Sequence, residues 1–286
     1  YKKPLTLIEA SEAPEAIREN ALDPENMRLL RRLRSLASDG ILIGSEELVD
    51  WLFPGRQSKR NRTQKMCDAL AKFGLGMVPD PRDETLQHAS QNEVVLFDLG
   101  QRFDAASARS ETFKLLSLKL IVAAMTARAD SNVATSEVEL MVSWVESAAK
   151  ELSLHEKARL RAMVTFLCER SAEFRARRSR FAHLARDERE ALLQAACSVA
   201  HADGRIDPRE TQVLERIASA LELPAQLAHQ NLVQLGFGVE DRRDDQLSDR
   251  KVEDQLVATD ICADTLRITK EESAKAQRVL AAIFAA

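Results

Sequence analysis

Glycine, tyrosine and tryptophan are scarce: nine, one and two among 286 residues. All-β folds lean on aromatic strands and glycine-bearing turns, so this composition argues against a sandwich or barrel. Cysteine is sparse too. Cys67, Cys168, Cys197 and Cys262 show no CxxC spacing and read as small buried hydrophobes of a reducing compartment. The histidines, His88, His155, His183, His201 and His229, form no HExxH or comparable ligand pair, which argues against zinc. No apolar run is long enough to span a bilayer, and no signal peptide opens the chain. The expected location is cytoplasmic, without membrane insertion. Because the chain opens on Tyr1, attachment at the inner face of a membrane through partners or a preceding segment stays open. P-loop, GxSxG and Rossmann fingerprints are missing, and no enzyme is expected. With a net charge of −4, bulk charge does not make the chain a nucleic-acid binder, although a local basic patch is compatible with it.

What the chain does have is Ala, Leu, Glu and Arg in helical patterns, and the expected class is mainly α. Residues 1–100 read as three helices (26–38, 45–53 and 58–74) followed by a hairpin built from LGMVPDPR and EVVLF (93–97). That order predicts a small winged-helix-like α+β domain. Its third helix carries Lys59, Arg60, Arg62 and Lys65, so nucleic-acid binding through helix 58–74 is one functional expectation, beside a plain solvated helix face. Residues 101–225 read as a bundle, with helices at 112–129, 136–152, 155–174, 185–202 and 211–223. Residues 226–286 form a C-terminal helical segment. It holds a charge run at 240–255 and a final helix at 269–286, with Thr269 and Glu272 as its capping box.

The bundle contains a repeat. AMTARADSNVATSEVELMVSWV (124–145) lies over CSVAHADGRIDPRETQVLERIA (197–218), so that Asp130 matches Asp203, Val133 matches Ile206 and Glu137 matches Glu210. Helix punctuation explains most of the second copy. Gly204 suits a left-handed stop, Asp207 an N-cap, Pro208 the first helical position and Glu210 the far side of a capping box, with Ile206 as the hydrophobic staple. Asp203 and Asp130 do not fit that account, since a helix C-terminus disfavours an anion. If both turns meet at one end of the bundle, Asp130, Glu137, Asp203 and Glu210 can offer hard oxygen ligands to Ca²⁺ or Mg²⁺. The stretch SDGILIGSEE (38–47) repeats the Asp-Gly…Glu spacing outside the bundle, so the pattern also arises as helix–turn–helix grammar. Capping and metal binding both stay open on these residues.

HADGRIDPRETQVLERIASALEL, taken with its first copy, resembles the signature helix pair of the TerB (tellurite-resistance B) family, most clearly over 112–223. The flanks KFGLGMVPDPR and EVVLFDL, and the tail DTLRITKEESAKAQRVLAAIFA, resemble regions of larger members with a TerB C-terminal domain. The resemblance implies two pseudo-repeated helical units packed together and a divalent cation bound by acidic residues near the turns. The matching positions are Asp130, Glu137, Asp203, Asp207 and Glu210, while Ser131 and Ala134 depart from the pattern in the first copy. It also implies a bacterial scaffold or sensor that works with other proteins of a larger complex, in settings of tellurite resistance, stress response or phage defence. The oligomeric state stays open.

Overall fold

A computed structural model describes residues 5–53, 62–82, 86, 92–100, 109–130, 132–169 and 178–236. The expected final helix at 269–286, the charge run at 240–255 and Cys262 lie outside the described residues.

Two short helices open the chain, α1 (Leu7–Ser11) and α2 (Glu15–Arg18). α3 (Pro24–Asp39) follows, with Asp23 accepting the Asn26 N–H at 2.6 Å, Pro24 at the first position and Gly40 ending it at φ 62°. Then come β1 (Leu42–Gly44), α4 (Ser45–Leu52), α5 (Arg62–Lys72), β2 (Leu75–Val78) and β3 (Glu93–Asp98). The strands form one antiparallel sheet in the order β1-β3-β2. β1 corrects the helix–turn–helix reading of SDGILIGSEE. Between Gly40 and α4 the chain extends, Ile43 turns inward and pairs with Val94, and Glu46 heads α4 from the far end of a strand. At Gly76 on β2 the Phe97 ring of β3 lies so close that a Cβ would meet it at 2.3 Å, so only glycine fits under the ring.

The bundle consists of α6 (Glu111–Ala127), α7 (Thr135–Ser147), α8 (Leu154–Glu169), the single turn α9 (Arg178–Phe181), α10 (Arg186–Ala200), α11 (Pro208–Ala220) and α12 (Ala225–Gln234). α6 and α10 form its central pair, and their packing is related as a repeat. α6 packs on α7 and α8, as α10 packs on α11 and α12, and α7–α10 contacts are matched by α6–α11 contacts. Each unit therefore has three helices, not two, and α12 extends the bundle past residue 225. The apolar stripes explain this. Leu118 and Val122 of α6 share a core with Leu193, Cys197, Ile217 and Leu232, while Leu120, Ile121 and Ala124 turn to a second core with Met141, Phe166 and Leu167.

The second core also contains Val95 and Phe97, so β3 lies directly on α8 and the α+β region shares its interior with the bundle. A buried ion pair crosses the same seam. Arg159 of α8 donates to Asp80 Oδ2 at 3.1 Å, and Arg82 grips the same carboxylate through both Nε and a terminal nitrogen at 2.8 Å. Asp80 is 3% exposed, and these guanidiniums overcome its burial and hold its carboxyl below the usual range. Cys67, Cys168 and Cys197 are buried free thiols, as their scattered positions led us to expect. Among the described residues, no helix is long and apolar enough to cross a membrane.

Candidate functional site

α6 ends at Ala127 and α10 at Ala200, so Asp130 and Asp203 each stand three residues past a helix rather than in its last turn. Asp130 Oδ1 accepts the Asn132 N–H at 2.8 Å, and Asp203 Oδ1 accepts the Arg205 N–H at 2.9 Å. Both are Asx turns, in which a carboxylate satisfies the backbone two residues on. This removes the electrostatic misfit expected from the sequence: neither aspartate needs a cation to offset a helix terminus. Gly204 takes φ 78°, as the stop required.

The following helices begin with matched glutamates. Glu210 Oε2 accepts the Asp207 N–H at 2.8 Å, while Asp207 Oδ1 accepts from Arg209 N at 2.7 Å. In the first copy Ala134 offers no side-chain cap, yet Glu137 Oε2 still accepts the Ala134 N–H at 2.6 Å. Val133 and Ile206, just before the caps, pack against the two bundle cores.

The two turns meet. Glu137 and Glu210 are 4% and 6% exposed. Burial pushes the Glu137 carboxyl up to about 8 against the stabilising Ala134 N–H, and the negative charges of Glu210, Asp130 and Asp203 push the same way. Burial likewise raises Glu210 to about 7, opposed by the Asp207 N–H and aided by Asp130, Asp203 and Asp207. The charges felt by each glutamate are thus carboxylates. The negative charges of Asp130 and Asp203 reach both Glu137 and Glu210. Asp207 sits beside Glu210 with its Oδ1 committed to capping.

Each of the four central carboxylates has one oxygen engaged by a backbone N–H and a second outside any hydrogen bond among the described residues. Hard, anionic oxygens short of positive charge fit Ca²⁺ or Mg²⁺ in donor chemistry. Among the described residues, however, no three His, Cys, Asp or Glu side chains are gathered closely enough to hold an ion, so uptake requires the carboxylates to converge. Nearby, Arg128 follows α6 and donates to the Cys168 carbonyl at 2.6 Å, tying the first turn to the end of α8. Its place two residues before Asp130, matched by His201 before Asp203, was the only trace of it in the sequence.

The basic set of the α+β region is less complete. Lys59 and Arg60 lie outside the described residues, Arg62 opens α5, and Lys65 is exposed.

Paired helical units, each with a buried glutamate at the head of its second helix, define an α-helical repeat domain with acidic turns. Residues 117–232, from within α6 to within α12, match the family model of tellurite resistance protein TerB, and the matched stretch includes both acidic turns. No curated protein and no solved structure matches the chain.

Proposed function

We propose that the chain is a non-catalytic scaffold or sensor module that takes up one divalent cation where the repeat turns meet, and that docks onto other proteins of a larger stress-response or tellurite-resistance complex. Asp130, Glu137, Asp203 and Glu210 would be the ligands, with Asp207 positioning Glu210. The observation that carries this reading is the burial of Glu137 and Glu210 among charges of their own sign. A dication would remove that repulsion and keep both glutamates ionised. The TerB match is consistent with membership in a tellurite-resistance-related family. Calorimetric titration of the chain with Ca²⁺, Mg²⁺ and Mn²⁺ tests it: Asp203→Ala/Glu210→Ala should lose the saturable heat, and a variant that binds like wild type sinks the site.

A second reading concerns the α+β region. Its order, helix–strand–helix–helix–strand–strand with the first strand paired to the last, is the winged-helix order and supports a nucleic-acid role for residues 1–100. A salt-dependent shift assay with duplex DNA tests it, and absence of binding at low salt eliminates it.

A further inference from the structure

The recognition surface expected on α5 is crowded by acid. α1 packs across α5, Lys72 pairs with Glu12 at 3.1 Å, and Asp68 pairs with Arg82 at 3.0 Å. Lys65 and Lys72 line a cleft of about 1490 Å³ in which Glu12, Glu15, Glu19, Asp68 and Asp98 offset the cations, Arg18, Arg34 and Arg161 included. A polyanion entering there would meet as many carboxylates as cations.

α3 presents the opposite charge pattern. Its buried side, Leu30, Leu33 and Ala37, faces the sheet. Arg28, Arg31 and Arg32 are exposed at relative positions of three and four, which places their Cβ atoms about 5–6 Å apart on one face. Among the described residues the ion pairs of α3 involve Arg34 alone, through Glu19 at 2.5 Å. The exposed acids of α4, Glu46, Glu47 and Asp50, pair with none of the three. The Arg32 guanidinium lies 4.2 Å from the centre of the Trp51 ring, a stacking contact that holds it in place.

We propose that this α3 face is the nucleic-acid surface of the α+β region, with Arg28, Arg31 and Arg32 holding consecutive phosphates of a sugar–phosphate backbone. The inference rests on the second reading above and relocates its contact from α5 to α3. Arginine forks match phosphate oxygens two at a time, and a row of them needs no apolar anchor. Protein partners need such anchors. Among the described residues of this region the exposed large hydrophobics are Ile17 and Ile41, neither of them on α3.

The test is fluorescence anisotropy of a labelled duplex of about 20 base pairs, with the full chain, in EDTA, across a salt series. Losing two phosphate contacts in Arg28→Ala/Arg31→Ala should weaken binding on the order of a hundredfold at about 50 mM salt and lower the salt slope by about 2. Lys65→Ala should bind like wild type. The arginine variant leaves the buried side of α3 untouched, and circular dichroism would verify its fold. Unchanged affinity in the arginine variant, or equal loss in Lys65→Ala, overturns the α3 assignment and leaves the second reading standing, whereas equal competition by poly-glutamate overturns both. Failure of wild type to bind any duplex at low salt overturns both.

Discussion

The acidic turns predict an unusual dependence of stability on pH. Glu137 titrates at about 8 and Glu210 at about 7 in the folded chain, against 4.5 for an ordinary glutamate. Both folded values are raised, so the folded state holds protons that the unfolded chain has released. Stability from these groups is fully present below about 4.5 and is lost as pH rises through about 7 and 8. At 1.36 kcal/mol per pH unit, the Glu137 shift alone corresponds to a ceiling of about 4–5 kcal/mol. The two glutamates share part of that repulsion, and splaying of the turns relieves more, so about 2–4 kcal/mol is the expected loss between pH 5 and 9. For a domain of this size that is a fall in Tm of roughly 5–10 °C. The assay is thermal unfolding in EDTA across pH, comparing wild type with Glu137→Gln/Glu210→Gln. Glutamine keeps an oxygen to accept the N-cap N–H but carries no charge. The variant should therefore have a flatter profile and a Tm several degrees above wild type at pH 9. Parallel profiles in the two proteins would refute the reasoning.

Three further predictions come from the packing. Asp80→Asn removes the carboxylate that Arg159 and Arg82 share at the seam between β3 and α8, and should cost about 3–5 kcal/mol in denaturant unfolding. A loss below about 1 kcal/mol would show that the seam does not depend on the pair. Gly76→Ala drives a methyl into the Phe97 ring and should destabilise by about 1–3 kcal/mol, with Phe97→Leu in the same chain restoring part of it; a neutral Gly76→Ala would contradict the close approach. Asp207→Ala removes an N-cap from α11 and should cost about 1 kcal/mol, whereas Thr135→Ala, on the uncapped start of α7, should be nearly silent in the same thermal assay.

Much of this architecture is legible in the sequence because it is written locally. The apolar stripes of α3, α4, α6, α7, α8, α10 and α11 repeat at helical spacing, and Asp207, Pro208 and Glu210 announce the start of α11 before any coordinate does. The parts that sequence reading missed depend on partners far along the chain. β1 is three residues between a helix stop and a helix start, and it becomes a strand by pairing with β3. α12 is short and polar on one side, and only its packing against α10 and α11 reveals it as the counterpart of α8. The apolar pattern of α6 and α10 carries the expected helices two residues too far, to 129 and 202. Once α6 and α10 stop at Ala127 and Ala200, both aspartates are turn residues. The burial of Glu137 and Glu210 within reach of each other's charge follows from the packing of α6 on α10, which the repeat suggested but could not orient.

Proton release on cation uptake tests the central claim most directly. At pH 7.5 the two glutamates together hold about one proton in the apo chain, given values of about 8 and about 7. Adding Ca²⁺ or Mg²⁺ in a weakly buffered solution should release about one proton per ion bound, and Glu137→Gln/Glu210→Gln should release none. Cation binding without proton release, or equal release by the variant, would contradict a site built on these two carboxylates.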